Sequence, residues 1–243
     1  MSNDITVVLN GYKRPQCLSH QLNAIEGQTI KAKQVMLWQN IGASFDPAIT
    51  SQTVHAASNA NFGVWARFAY ALNAKTEYIC VFDDDTIPGN RWFENCLNTI
   101  KTHEGLLGTV GVVFHSNVYI ENHRVGWVAP NRETTEVDIV GHSWFFKRDW
   151  LSHFWREMPR IDTSYLAGED IHFSAMLQKY ANMKTFVPPH PPEDQSLWGS
   201  SPIFGMKYGV DNVAISCTLG QNSMIEALQY EINNGYKPMY MRK

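Results

Sequence analysis

The sequence YICVFDDDT, residues 78–86, passes directly from an apolar run to three consecutive carboxylates. Residues Tyr78 to Phe82 are short, rich in β-forming side chains and almost uninterrupted, which predicts a central strand covered on both faces. The acids then follow the carboxyl end of this strand, the edge of an open α/β sheet where ligands bind. Because neighbouring carboxylates are costly to bury without a partner, the stretch predicts a cation site.

The spacing of the acids adds detail to this prediction. Asp83 and Asp85 point to the same side of an extended backbone, so one can hold a divalent metal while the other holds a polar group of the same ligand. A metal held by one or two carboxylates usually completes its coordination with substrate phosphates. A solvated acidic turn is the structural alternative.

Strands and helices alternate over roughly the first hundred residues. This alternation predicts an α/β fold whose central sheet is mostly parallel. The predicted strands are Ile5–Leu9, Gln34–Gln39 and Thr53–Ala57, and the predicted helices are residues 16–26 and 62–73.

After Glu104 the pattern changes to closely spaced strands, which favours a smaller antiparallel sheet. The predicted strands are residues 107–114, 125–128 and 136–140, followed by helices over 169–180 and 223–233. We expect one domain with a first half over residues 1–104, a second half over 105–190 and a C-terminal loop and helix over 191–243.

Composition excludes some classes of protein. With 20 basic and 23 acidic residues spread along 243 positions, the chain has no basic stripe of the kind that binds nucleic acid. The four cysteines lack metal-ligand spacing, so we expect free thiols in a reducing compartment. No apolar run approaches the roughly 18 residues of a membrane span, and the N-terminus lacks a leader pattern. We therefore expect a cytoplasmic protein without a membrane span.

Three motifs together carry a family resemblance: the polar loop after the first strand, the acids at 83–85, and Gly168-Glu169-Asp170 at a helix start. In this order they resemble nucleotide-sugar-dependent glycosyltransferases of the GT-A fold, of family 2 or the exostosin-like family 64. The resemblance covers residues 5 to about 190. It implies transfer of a hexose or N-acetylhexosamine from a nucleoside diphosphate, with uridine diphosphate favoured, to a hydroxyl of a glycan or related acceptor.

The resemblance also implies a set of donor and metal residues. Asp85 would bind Mn²⁺ or Mg²⁺ with His190 as a further ligand, and Asp83 would hold the ribose or a coordinated water. Residues 198–202 could form a loop that orders over the donor. The other candidates for the nucleotide site are Asn10, Gly11, Tyr12, Arg14, Asn61, Arg67 and Asp84.

The acceptor side follows from the same resemblance. Asp170 would take the proton from the acceptor hydroxyl in an inverting enzyme, with Glu169 orienting the acceptor or the base. Acids at a helix start are also favoured by the helix dipole alone. The segment lining the acceptor would contain Gly141, His142, Ser143 and Trp144.

Other functions fit less well. A haloacid-dehalogenase-like phosphatase needs Asp-x-Asp-x-Thr, and every register here misplaces either the nucleophile or the Thr. A sugar nucleotidyltransferase remains as an alternative, although no Gly-rich phosphate loop follows the first strand. A nucleotide- or sugar-binding module without turnover also remains, and metal-dependent donor binding without transfer would identify it.

Overall fold

Nine strands form a single mixed sheet in the computed structural model, which describes residues 4–159, 166–208 and 222–242. Their order is β3-β2-β1-β4-β8-β5-β9-β7, with β6 paired to β5 beside this path. The strands are β1 Ile5–Gly11, β2 Gln34–Gln39, β3 Val54–Ala57, β4 Tyr78–Phe82, β5 Gly105–Phe114, β6 Asn122–Gly126, β7 Thr135–Val137, β8 Ile139–Lys147 and β9 Lys184–Val187.

Within the described residues, eight α-helices accompany the sheet, and three single turns of 3₁₀ helix lie at residues 148–150, 195–197 and 239–241. The helices are α1 Pro15–Glu26, α2 Pro47–Thr50, α3 Ala66–Ala71, α4 Trp92–Thr102, α5 Leu151–Phe154, α6 Glu169–Ala181, α7 Pro202–Tyr208 and α8 Asn222–Asn233. No helix in the described ranges is long and apolar enough to span a membrane.

Strands β1 to β4 make up the parallel half of the sheet. All five residues of β4 are buried, as an apolar run between two covered faces requires. The α/β fold predicted from alternation is confirmed. The bounds of β2 and β4 coincide with the predicted ones.

The antiparallel pairs continue the same sheet, because β8 pairs with β4 on one side and β5 on the other. The predicted strand over 136–140 is divided into β7 and β8 at Asp138. The Asp138 side chain is buried and accepts hydrogen bonds from the backbone N–H groups of Phe114, at 2.8 Å, and Met239, at 2.6 Å. These bonds tie the break between the strands to β5 and to the C-terminal segment.

The helix predicted over 62–73 is shorter than expected, since α3 contains only residues 66–71. Gly63 lies in the left-handed region with φ +64°, which an α-helix does not allow. The apolar pattern of the sequence also predicts that Trp65, Phe68, Ala69 and Leu72 share one apolar face. This prediction was wrong in part, because Leu72 is 55% exposed while Arg67 is buried.

The C-terminal segment is anchored by buried polar groups. His172 of α6 and Glu231 of α8 lie 2.7 Å apart through Nδ1 and Oε1. The Tyr236 hydroxyl donates to the backbone oxygen of Asp138 at 2.7 Å. Each of these groups would be costly to bury without its partner, so they specify where the segment packs. The described cysteines, Cys17, Cys80 and Cys96, are buried, and Cys217 lies outside the described residues.

Two glycines that both pair with Val110 of β5, Gly126 and Gly141, should respond differently to alanine. Gly126 has φ +112°, and a Cβ there would meet the backbone oxygen of Thr109. Gly141 has no atom within 4 Å of its would-be Cβ. We expect Gly126→Ala to lower the free energy of unfolding by about 2–4 kcal/mol. Gly141→Ala should unfold at the wild-type urea midpoint, and equal midpoints for both variants would contradict the assigned geometry.

Candidate functional site

The acids after β4 lie beside His142 of β8. The Asp83 backbone N–H donates to the His142 carbonyl oxygen at 2.9 Å, which ties the two strand ends together. His142 has φ +66°, a conformation that costs free energy for a non-glycine residue. One ligand atom each of Asp83, Asp85 and His142 lie within 4.8 Å of one another. The sequence placed His142 on the acceptor side, and its position beside the acids required the structure.

Two arginines neutralise part of this acidic group. Arg14, at the start of α1, donates to Asp84 at 2.6 Å and lies 3.8 Å from Asp85. Arg67 of α3 donates to Asp83 and, at 2.6 Å, to Glu169. Each guanidinium therefore connects a helix, α1 or α3, to the acids that follow the carboxyl end of β4.

Arg67 is only 2% exposed, and its guanidinium carbon lies 4.5 Å from the centre of the Trp144 ring. Stacking on an aromatic face suits a guanidinium in a buried position. Although burial opposes its charge, Asp83 and Glu169 raise the pKa of Arg67. Both terminal nitrogens of Arg67 are hydrogen-bonded to carboxylates, and its predicted role in reaching the donor stays a prediction.

Burial raises the pKa values of the site acids above their usual range. The pKa of Asp84 is raised to about 7 by burial, against the opposing effect of Arg14. Burial also raises the pKa values of Asp85, Glu169 and Asp170, and neighbouring carboxylates add to each increase. The site contains five carboxyl groups, Asp83 included, and two guanidinium groups, so ionisation of all the acids would leave an excess of negative charge that a bound cation would offset.

Asp170 lies in the first turn of α6, next to Glu169. Its Oδ1 accepts from the Ile171 backbone N–H at 2.8 Å, which fixes the carboxylate at the helix start. Arg67 links this helix start to Asp83. The structure thus brings together the two acidic motifs that lie far apart in the sequence.

The predicted nucleotide loops are organised by Asn40, a buried residue that sequence reasoning missed. Its side-chain oxygen accepts from the Phe62 backbone N–H at 3.1 Å, and its amide nitrogen lies 3.4 Å from Asn10 Oδ1. Asn61 holds the Gly63 backbone N–H at 2.9 Å, so its side chain supports the loop. A polar residue directly after β2 was the signal that could have identified Asn40.

The first loop has two further predicted members. Gly11 is buried against the Phe45 ring, which leaves no room for a side chain, and Tyr12 is partly exposed. Tyr12 is thus able to present its ring to a ligand, whereas Gly11 serves packing.

His190 does not belong to the group formed by Asp83, Asp85 and His142. It is fully buried, and burial lowers its pKa to about 4. Its Nδ1–H donates to the Pro188 oxygen at 2.8 Å, and its Nε2 accepts from the Gly199 backbone N–H at 3.1 Å. With both ring nitrogens engaged, the structure does not support the prediction that His190 binds a metal. The bond from Gly199 attaches His190 to the loop at 198–202. The Gly89 backbone N–H also donates to the Trp198 oxygen of this loop at 2.8 Å, so the loop is packed rather than open.

The predicted acceptor segment divides into two parts. Gly141 and His142 are partly exposed, and a Cβ at Gly141 would project into open space. Ser143 is buried and bonded to the Thr109 hydroxyl at 2.6 Å, and Trp144 is buried beneath Arg67. The latter two support the site from inside and cannot touch an acceptor in this conformation.

Helix α7 contacts both the first loop and the predicted acceptor segment. The Tyr208 carbonyl oxygen accepts from Arg14 at 2.8 Å, and the Phe204 ring lies 4.9 Å from His20. Gly205 packs against Trp127, whose ring lies 6.0 Å from His142. Sequence reasoning missed the placement of α7, since these contacts join residues far apart in the chain.

Comparison with known proteins supports the class of fold. At the sequence level, no family profile and no curated protein matches the chain. Staphylococcus aureus TarS in complex with UDP superposes with a TM-score of 0.55 at 13% identity, over 78% of this chain and 61% of TarS. TarS in complex with UDP-GlcNAc gives 0.52 at 12% identity, over 79% and 60%.

A third structure, the Pyrobaculum calidifontis mannosyltransferase PcManGT in complex with GDP-Man and Mn²⁺, gives a TM-score of 0.50 at 12% identity, over 95% of this chain and 74% of that one. The chain thus spans about three fifths of the TarS structure. Together the superpositions show a GT-A-like glycosyltransferase fold.

The raised pKa of Asp84 predicts a pH dependence of stability. A carboxyl that binds its proton more tightly in the folded state stabilises the fold at low pH, and this contribution is lost as pH rises from about 4 to about 7. We expect the free energy of unfolding, measured by urea titration with chelator, to fall less between pH 5 and pH 7.5 in Asp84→Asn than in wild type. Asp149→Asn, at an exposed carboxylate, is the control. An unchanged pH dependence in Asp84→Asn would contradict this assignment.

Proposed function

We propose that this protein is a metal-dependent glycosyltransferase that moves a sugar from a nucleoside diphosphate to a hydroxyl of a glycan or related acceptor. The observation that carries the proposal is the junction of two acidic motifs, Asp83–Asp85 and Glu169–Asp170, through Arg67 at the ligand-binding edge of a GT-A-like sheet.

The metal proposal rests on the donor atoms and on charge. Two carboxylates and one imidazole suit Mn²⁺, whereas Mg²⁺ prefers oxygen ligands alone. The site acids exceed the guanidinium groups beside them, so a divalent ion would lower their mutual repulsion. When bound by Asp83, Asp85 and His142, the ion would offset the charge that develops on the departing nucleoside diphosphate.

The donor would lie across the carboxyl ends of β1 and β4. Arg14 lies beside Asp84 and Asp85, where its positive charge would attract a diphosphate. Tyr12 is partly exposed in the same loop and offers a stacking face for a base. UDP-sugars are the proposed donors, with glucose and N-acetylglucosamine as the first carried groups to test.

Asp170 is the proposed base. Burial raises its pKa toward neutrality, which suits a group that takes a proton from an acceptor hydroxyl near pH 7. Glu169 is held by Arg67 and positions the helix start. The open space beside Gly141 is the proposed place for a sugar ring.

Nucleotide binding provides the first test. We expect calorimetry with UDP, GDP and TDP to show Mn²⁺-dependent binding of one nucleotide, lost with chelator and in Asp85→Ala. Failure of all three nucleotides to bind would overturn the proposal. Binding without turnover of any donor would favour the non-catalytic module.

The metal ligands can be separated with two histidine variants. His142→Gly should weaken Mn²⁺ binding by about tenfold or more, since glycine suits the left-handed backbone and removes only the imidazole. His190→Gln keeps a donor and an acceptor in a buried position and should leave Mn²⁺ affinity unchanged. Calorimetric titration with Mn²⁺ decides, and the opposite pattern would restore His190 as the ligand.

The base assignment can be tested by Asp170→Asn. This variant should bind nucleotide and Mn²⁺ as wild type does, while sugar transfer falls by about a hundredfold or more. UDP release from UDP-glucose or UDP-N-acetylglucosamine would be measured with a panel of methyl glycosides as acceptors. Full turnover in Asp170→Asn would show that another group, or none, removes the proton.

A further inference from the structure

Two exposed imidazoles meet at the hairpin that joins β5 to β6. His115 Nε2 and His123 Nδ1 lie 3.1 Å apart. The two rings are nearly parallel, with an interplanar angle of 24° and centroids 5.0 Å apart, and they meet through their nitrogen-bearing edges. Both side chains are exposed, and neither belongs to the acidic group beside His142.

The hairpin backbone holds this pair in place. His123 lies opposite Val113 in the strand register, and the His115 backbone N–H donates to the Glu121 oxygen at 2.8 Å. Within the loop, the Ser116 hydroxyl accepts from the Val118 N–H at 3.0 Å and donates to the Glu121 carboxylate at 2.5 Å. The separation of the two imidazoles is therefore set by ladder and loop hydrogen bonds.

We propose that His115 and His123 form a bidentate site for a divalent transition-metal ion of the Zn²⁺, Cu²⁺ or Ni²⁺ type, separate from the proposed nucleotide site. Two nitrogens about 2.1 Å from an ion and 3.1 Å from each other subtend about 95° at it. This angle suits neighbouring positions of a square-planar Cu²⁺ or Ni²⁺ ion, and a small adjustment would suit tetrahedral Zn²⁺. Water would occupy the remaining positions.

The chemistry of the ligands separates this site from the acidic one. Imidazole nitrogens favour Zn²⁺, Cu²⁺ and Ni²⁺, whereas carboxylates favour Mg²⁺ and Mn²⁺. Without an ion, the two ring nitrogens form a hydrogen bond. With an ion, each ring directs a lone pair at it, His115 carries its proton on Nδ1 and His123 carries its proton on Nε2. The nearby Glu121 carboxylate adds negative charge to the loop, which favours a cation.

Occupation of the pair would link the end of β5 to β6 across the loop. The same loop contains Tyr119, whose ring belongs to the hydrophobic cluster that includes Ile171, the neighbour of Asp170. A bound ion would therefore stabilise the hairpin at the acceptor side of the sheet, and unfolding would require its release.

The test uses the full, untagged chain and two matched variants, His115→Gln and His123→Gln. Zn²⁺ binding would be followed by calorimetry and Cu²⁺ binding by electron paramagnetic resonance, both in wild type and in an Asp85→Ala, His142→Gly background that removes the acidic group as a competing site. In that background we expect one site, weakened by about tenfold or more by each histidine variant because chelation is lost. Cu²⁺ spectra of the same background should show two coordinated nitrogens.

The control is His55→Gln, which removes an exposed imidazole that lies against Gln39 rather than a second imidazole. It should retain wild-type Zn²⁺ affinity. Since His115 and His123 are exposed, both variants should keep the wild-type circular dichroism spectrum and metal-free melting temperature. Unchanged Zn²⁺ and Cu²⁺ affinity in either variant would overturn the proposal. Nucleotide binding plays no part in this experiment, so its result is independent of the proposed function.

Discussion

The buried guanidinium of Arg67 is the interaction on which the site depends. Its two terminal nitrogens donate to Asp83 after β4 and to Glu169 at the start of α6, while the plane of the guanidinium lies over the Trp144 ring. A buried charge of this kind is tolerated only because both carboxylates accompany it, and removal of one partner from such a pair commonly costs 3–5 kcal/mol. Arg67 therefore makes the distance between the two acidic motifs a property of the core.

The second constraint is the charge that the arginines leave unbalanced. Burial and mutual repulsion raise the pKa values of Asp84, Asp85 and Asp170. The folded chain therefore retains protons at a pH at which the unfolded chain has released them. The same imbalance provides the driving force for a cation at this edge. The site is thus less stable near neutral pH without a ligand, as preorganised electrostatic sites often are.

Much of the fold was predictable because its signals are local. The apolar run of β4 and the alternation of β2 and α1 gave strand and helix positions that the structure reproduces. The acids at 83–85 were found because their position after a strand is visible in the sequence. The helix over 62–73 was overestimated, since its apolar pattern does not reveal the left-handed backbone of Gly63.

The sequence by itself determined the succession of strands and helices along the chain and the positions of the two carboxylate motifs. Hydrophobic period and residue type can show these features because they act over a few neighbouring positions. Only the tertiary structure decided which groups meet there. His142 joins Asp83 through strand pairing, and Arg67 reaches Glu169 across 102 residues. Both nitrogens of His190 are hydrogen-bonded to buried backbone groups, a contact that no local pattern around His190 reveals. Contacts between distant segments depend on how the whole sheet is assembled, and no local pattern encodes them.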